Sequence, residues 1–137
     1  MRYLLIAFLA LVIATANTDG ASSDDSNGIR SVILEQIEAF RQDDGTAAFA
    51  IAAPEIQTKF VDPERFMAIV AAVYPQVYRP QKVTFLDLNK TGDDVVQKVL
   101  LTGPNRRLVI ALYQMIEING HWRIKGCVLV TPPEKAI

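Results

Sequence analysis

Catalysis by side chains alone draws on a few residue types, and this chain holds few of them. Its serines are Ser22, Ser23, Ser26 and Ser31, all at or before the start of the first helical pattern, so none is available in the later strands or their loops as a nucleophile at an elbow. The one histidine is His121 and the one cysteine is Cys127. Six positions along a strand separate them by roughly 20 Å at about 3.3 Å per residue, far beyond the reach of a thiol–imidazole dyad. His121 beside a turn reads as a solvated residue and Cys127, followed by Val128-Leu129-Val130, as a small buried hydrophobe. One His and one Cys make no closed zinc site. CxxC, HExxH, EF-hand, GxGxxG and Walker patterns are all missing, so no metal and no cofactor is implied.

Carboxylate, tyrosine and arginine chemistry remains. Asp87 and Glu117 stand inside strand-like runs where apolar residues are expected, and either could act as a base, with Tyr113, Tyr74 or Tyr78 as donor. Tyr74, Tyr78, Arg79, Tyr113, Trp122 and Arg123 are the candidate ligand contacts. An aromatic and arginine rim suits a carboxylate. Each has a structural alternative: Asp87 and Glu117 as solvated strand ends, Trp122 as a core plug, Arg79 as a donor to backbone carbonyls where helices give way to strands.

The elements that must position these residues are readable from periodicity. Residues 106 to 130, RRLVIALYQMIEINGHWRIKGCVLV, form two strand-like runs joined by Asn119-Gly120, a strong hairpin signal. In the first run Leu108, Ile110, Leu112 and Ile116 share one face and Val109, Ala111, Tyr113 and Met115 the other, so both faces call for burial. Upstream, Ile29, Val32, Ile33, Ile37 and Phe40 fall at helical spacing, with Ser26 or Asn27 as the expected cap and Asp43-Asp44-Gly45 as the end. A short helix is expected over Thr46 to Ala53. Pro54 then permits another turn anchored by Ile56 and Phe60, and Asp62-Pro63 starts a helix ending at Tyr74-Pro75. Strands are expected at about 82–89, 94–102, 107–118 and 121–130, joined by short turns as an antiparallel meander. Helices followed by strands is an α+β order: N-terminal helices packed on one face of a curled four-stranded sheet. The other face keeps its apolar side chains, which predicts a homodimer through the sheet unless the tail or the curl covers it.

Length and composition fit one globular domain: 137 residues, 50% hydrophobic and 21% charged. The start, MRYLLIAFLALVIATA, reads as a secretory signal with Ala14-Thr15-Ala16 as its cleavage signal, cutting between Ala16 and Asn17. Its apolar run is too short for a membrane span. The expected organisation is a signal at 1–16, a flexible lead-in at 17–27, one domain at 28–131 and a tail at 132–137, in an exported protein, periplasmic or secreted. Cleavage would remove Arg2 and take the formal charge from −1 to −2, which leaves no electrostatic footprint for nucleic acid or an anionic membrane. A lone cysteine forms no internal disulfide, so stability rests on the core.

Four segments carry a family resemblance: IEAFRQDD (Ile37–Asp44), AFAIAAP (Ala48–Pro54), the stretch Phe66–Pro80 with its YPQVYRP, and GHWRIKGCVLV (Gly120–Val130). On these the chain resembles a bacterial family of exported proteins, a domain of unknown function, within the nuclear-transport-factor-like superfamily that includes ketosteroid isomerase, scytalone dehydratase and the polyketide cyclases. The resemblance implies a cystatin-like cone with a pocket between the helices and the concave sheet face, and often a dimer. It supplies no reaction, because the superfamily holds enzymes and non-enzymes, and the histidines of a scytalone-dehydratase mechanism are absent here. Three functions stay open. One is a non-catalytic cone that binds a small apolar or amphipathic ligand, or a partner protein. The second is a proton-transfer enzyme of isomerase or dehydratase type using a pocket carboxylate and a tyrosine, and the third a structural dimerisation module.

Overall fold

The computed structural model describes residues 23–132. The proposed signal segment and the last five residues lie outside that range. Five helices precede four strands: α1 (Ser23–Arg41), α2 (Gly45–Ala50), α3 (Pro54–Phe60), α4 (Pro63–Val73), α5 (Pro75–Tyr78), β1 (Lys82–Thr91), β2 (Asp94–Thr102), β3 (Leu108–Ile118) and β4 (His121–Val130). The sheet is an antiparallel meander in the order β1-β2-β3-β4, so the chain is an α+β cone with its helices on one face.

Helix α1 starts earlier than the apolar spacing indicates. Ser23 to Asn27, expected as lead-in with Ser26 or Asn27 as cap, are helical, and Asp24 and Asp25 occupy the first turn. Acidic residues there complement the free amides and the helix dipole, a signal that hydrophobic periodicity does not register. The Asp62-Pro63 start forms as expected: the Asp62 carboxylate accepts from the Arg65 N–H at 2.8 Å, with Pro63 in the first turn. Asn119 and Gly120 adopt φ of 52° and 77°, the left-handed pair that a two-residue hairpin needs.

Buried Ile29, Ile33, Ile37 and Phe40 of α1 face Val99 and Leu101 of β2, Ala111, Tyr113 and Met115 of β3 and Ile124 of β4. Val109, Ala111, Tyr113 and Met115 therefore form the inward face of β3. Two bulges bend the sheet. In β1, Phe85 pairs with Val99 and Leu88 with Gln97, which leaves Leu86 and Asp87 opposite Lys98 alone. Buried Gln97 fastens this bulge, its side-chain amide donating to the Leu86 and Lys98 carbonyls at 3.0 and 2.8 Å. In β4, Gln114 pairs with Gly126 and Met115 with Ile124, so Lys125 is the extra residue.

Edge strand β4 is partly covered by the chain between α2 and α3. The Ile124 N–H donates to the Ile51 carbonyl at 3.1 Å and the Ala53 N–H to the Ile124 carbonyl at 2.8 Å. On the outer sheet face Leu86, Leu108, Val128 and Val130 are exposed.

Candidate functional site

Between the helices and strands β3 and β4 lies a cavity of about 290 Å³. Its walls come from α1 (Gln36, Phe40), α3 (Ile56, Lys59, Phe60), α4 (Phe66, Ile69, Val70), the Tyr74–Val77 turn, and the strands (Tyr113, Ile124, Lys125, Cys127, among others). The aromatic wall is set by Phe66, whose ring centre lies 5.9 Å from Phe40, 5.5 Å from Phe49 and 5.4 Å from Phe60. Gln36 is buried and its amide donates to the Ala48 carbonyl at 3.1 Å, tying α1 to α2 behind the cavity. The exposed lining residues, Lys59, Gln114, Lys125 and Val128, mark the mouth, between the end of α3 and the β4 bulge.

Helix α3 is the loosest wall. None of its seven residues is buried. It ends at Val61, which is 70% exposed and has φ 73° and ψ −50°, while the Asp62 N–H donates to the Phe60 carbonyl at 2.9 Å. That is a γ-turn of the rare strained kind, on a β-branched residue that disfavours positive φ.

Tyr113 is one of the polar residues on the cavity wall. It is wholly buried, borders the cavity, and its hydroxyl has no hydrogen-bond partner among the described residues. Burial pushes the phenol well above its ordinary value, with the neighbouring Cys127 acting in the same direction, so it remains a neutral donor. Cys127, opposite Tyr113 in the β3–β4 ladder, also borders the cavity, and burial pushes its thiol up to about 12. A thiol so protonated is a poor nucleophile.

The residues singled out from the sequence divide between places. Tyr74 and Tyr113 line the cavity; Asp87 and Glu117 do not. Both carboxylates are exposed. Asp87 would share the inward face of Val83 and Phe85 in a regular strand, but the β1 bulge carries it outside. Glu117 has the inward parity of Tyr113 and Met115 yet stands opposite Trp122 near the hairpin end, where it borders a second, more polar groove with Asp25, Asp93, Asp94 and Lys125. Trp122 borders that groove too and packs close to Gly28 of α1, while Arg123 is half-buried and lines neither space.

Tyr78 and Arg79 belong to a knot at the end of α1. The Arg79 guanidinium donates to the Phe40 carbonyl and pairs with Asp43 at 2.8 Å, the Tyr78 hydroxyl donates to the same carboxylate, and Arg41 donates to the Pro80 carbonyl at 2.9 Å. These bonds hold the Asp43 carboxyl below its ordinary value and raise the Tyr78 phenol. The backbone-bonding alternative for Arg79 is the one the geometry realises.

Periodicity gave no warning of Gln36 and Lys59. Gln36 lies on the apolar stripe of α1, where a polar residue could have signalled a cavity. Lys59, in the last turn of α3, carries no local sequence signal of a cavity. Among the described residues no three His, Cys, Asp or Glu side chains gather as a metal site, and no helix is long and apolar enough to cross a membrane.

No match was found among curated proteins. Among solved structures the chain is similar to a designed protein of the nuclear-transport-factor-like fold, titled Rd1NTF2_05 with five substitutions, at 16% identity and a TM-score of 0.52 over 78% of this chain and 100% of that one. At this identity the likeness speaks for the fold, and it agrees with the cone described above. Residues 22–137 match the family described as "Domain of unknown function (DUF4864)", and the chain belongs to that family.

Proposed function

We propose that this protein is a non-catalytic binder that takes a small, largely apolar molecule into its cone cavity. The observation that carries this reading is the apolar cavity bordered by Tyr113, whose buried hydroxyl has no partner among the described residues. A buried donor without an acceptor costs free energy, and a ligand oxygen brought to it recovers the bond. The space suits a molecule of about ten non-hydrogen atoms, taking ~30 Å³ for each as for a water in the liquid. α3, which buries none of its residues, is the wall easiest to displace on admission. Proton-transfer catalysis fits less well, since among the described residues no carboxylate or imidazole lines this cavity, and Tyr113 and Cys127 both hold their protons. Isothermal titration with 2-octanone, an apolar chain bearing one acceptor, tests the reading: saturable one-to-one binding is expected, and no saturable heat contradicts it.

Two further parts of the reading concern the whole chain. The exposed Leu86, Leu108, Val128 and Val130 support a homodimer through the outer sheet face. Light scattering should give twice the monomer mass, falling to one in Leu108→Glu; a monomeric parent refutes it. Export rests on the sequence of residues 1–16, and the intact mass of the released protein should place its first residue at Asn17. A chain retained with Met1 refutes export.

A further inference from the structure

Among the described residues, the charged side chains bordering the cavity are Lys59 and Lys125, and no carboxylate lines it. Both are exposed and stand on opposite banks of the mouth, one in the last turn of α3 and the other at the β4 bulge. Neither belongs to an ion pair among the described residues, where the pairs are Arg41–Glu38 and Arg79–Asp43. The Lys59 ammonium lies 5.6 Å from the Phe60 ring centre, so its aliphatic stem runs along the apolar wall with its charge at the rim. The chain as a whole is slightly acidic, with a formal charge of −1. A rim whose charged groups among the described residues are both cations is thus a local arrangement against the overall balance.

Resting on the binding reading above, we propose that the cavity's ligand is an anionic amphiphile: a largely apolar chain inside that brings an oxygen to Tyr113, and a carboxylate held outside between Lys59 and Lys125. The geometry spares the carboxylate the cost of burial. Desolvating an anion inside the cavity would be expensive without a paired cation. At the mouth it stays hydrated while two ammonium groups flank it. The bulge contributes directly, because Lys125 is the extra residue it inserts into the edge strand beside the cavity. The competing role for Lys125 is to balance the acidic second groove, which it also borders.

Octanoate and 1-octanol, with the same tail and different heads, separate these roles. In the full-length folded protein at low salt, octanoate is expected to bind tighter than 1-octanol by roughly fivefold to tenfold, the scale of two exposed charge pairs. Raising the salt to 1 M should shrink that preference. Lys59→Gln with Lys125→Gln should abolish it, and continued saturable binding of 1-octanol shows that the variant is folded. Equal affinity in the parent, or a preference that survives in the double variant, overturns the anionic ligand and leaves the cavity reading intact. Binding of neither probe overturns both.

Discussion

Replacing Tyr113 with Phe asks the structure for two effects of opposite sign. In the free protein the hydroxyl is buried without a partner, and such a group costs about 1–3 kcal/mol relative to its hydrated state. Removing one oxygen leaves the ring packed as before and opens only a small gap. Tyr113→Phe is therefore expected to stabilise the ligand-free domain by about 1 kcal/mol. In a urea titration, with a slope of ~1–3 kcal/mol per molar for a small domain, the midpoint should rise by roughly 0.5 M with the slope unchanged. The same change removes the donor offered to a ligand oxygen, so affinity for 2-octanone should fall by about fivefold, a bond of ~1 kcal/mol. A variant destabilised by more than about 1 kcal/mol would refute the reasoning, because it would mean that the hydroxyl is already bonded in the free protein.

Other perturbations test neighbouring parts of the account. Cys127 has an ordinary value of 9.0 and a folded value of about 12; the unfolded chain releases this proton first, so stability should fall from pH 9 towards 12 by up to ~1.4 kcal/mol per pH unit. Cys127→Ala should lose that component of the slope, as alkaline urea titrations would read. Asp43 is held below its ordinary value of 3.8, so its contribution is full above that pH and fades as pH falls below it; Asp43→Asn should flatten the acid limb of a stability profile there. Gly28→Ala in α1 gains about 1 kcal/mol of helix propensity but places its Cβ 2.9 Å from Trp122. Overpacking costs ~1–3 kcal/mol, and the expected net is a loss of about 1 kcal/mol by thermal unfolding. Val61→Gly should relieve the positive φ at the end of α3 and stabilise the domain by up to about 1 kcal/mol, the strain of 1–3 kcal/mol offset in part by glycine's added freedom.

The fold was largely legible because its signals are local. Asn119-Gly120, Asp62-Pro63 and the alternation Val109, Ala111, Tyr113, Met115 each name a backbone geometry or a face, and the elements follow within a few residues. The start of α1 was missed because its first turn is specified by Asp24 and Asp25 and not by an apolar stripe. The site was less legible. Strand parity alone puts Asp87 with Phe85 on the inward face, and only the register shift between Phe85 and Leu88 moves it out. Glu117 has the inward parity and still meets solvent, because at that end of the hairpin it borders an open polar groove beside the first turn of α1. Bulges and the reach of a covering layer depend on pairings distant in sequence, so local periodicity cannot register them. Tyr113 and Tyr74 line the cavity; that the Tyr113 hydroxyl has no partner among the described residues depends on what packs around it in three dimensions.

The central claim is that the cone cavity takes a small apolar ligand, and amide shifts of isotope-labelled protein titrated with 2-octanone test it most directly. The account predicts saturable shifts centred on Ile56, Phe66, Val70, Ile124 and Cys127, with Leu108 and Val130 on the outer face unmoved. Shifts confined to the outer face, or none that saturate, would contradict it.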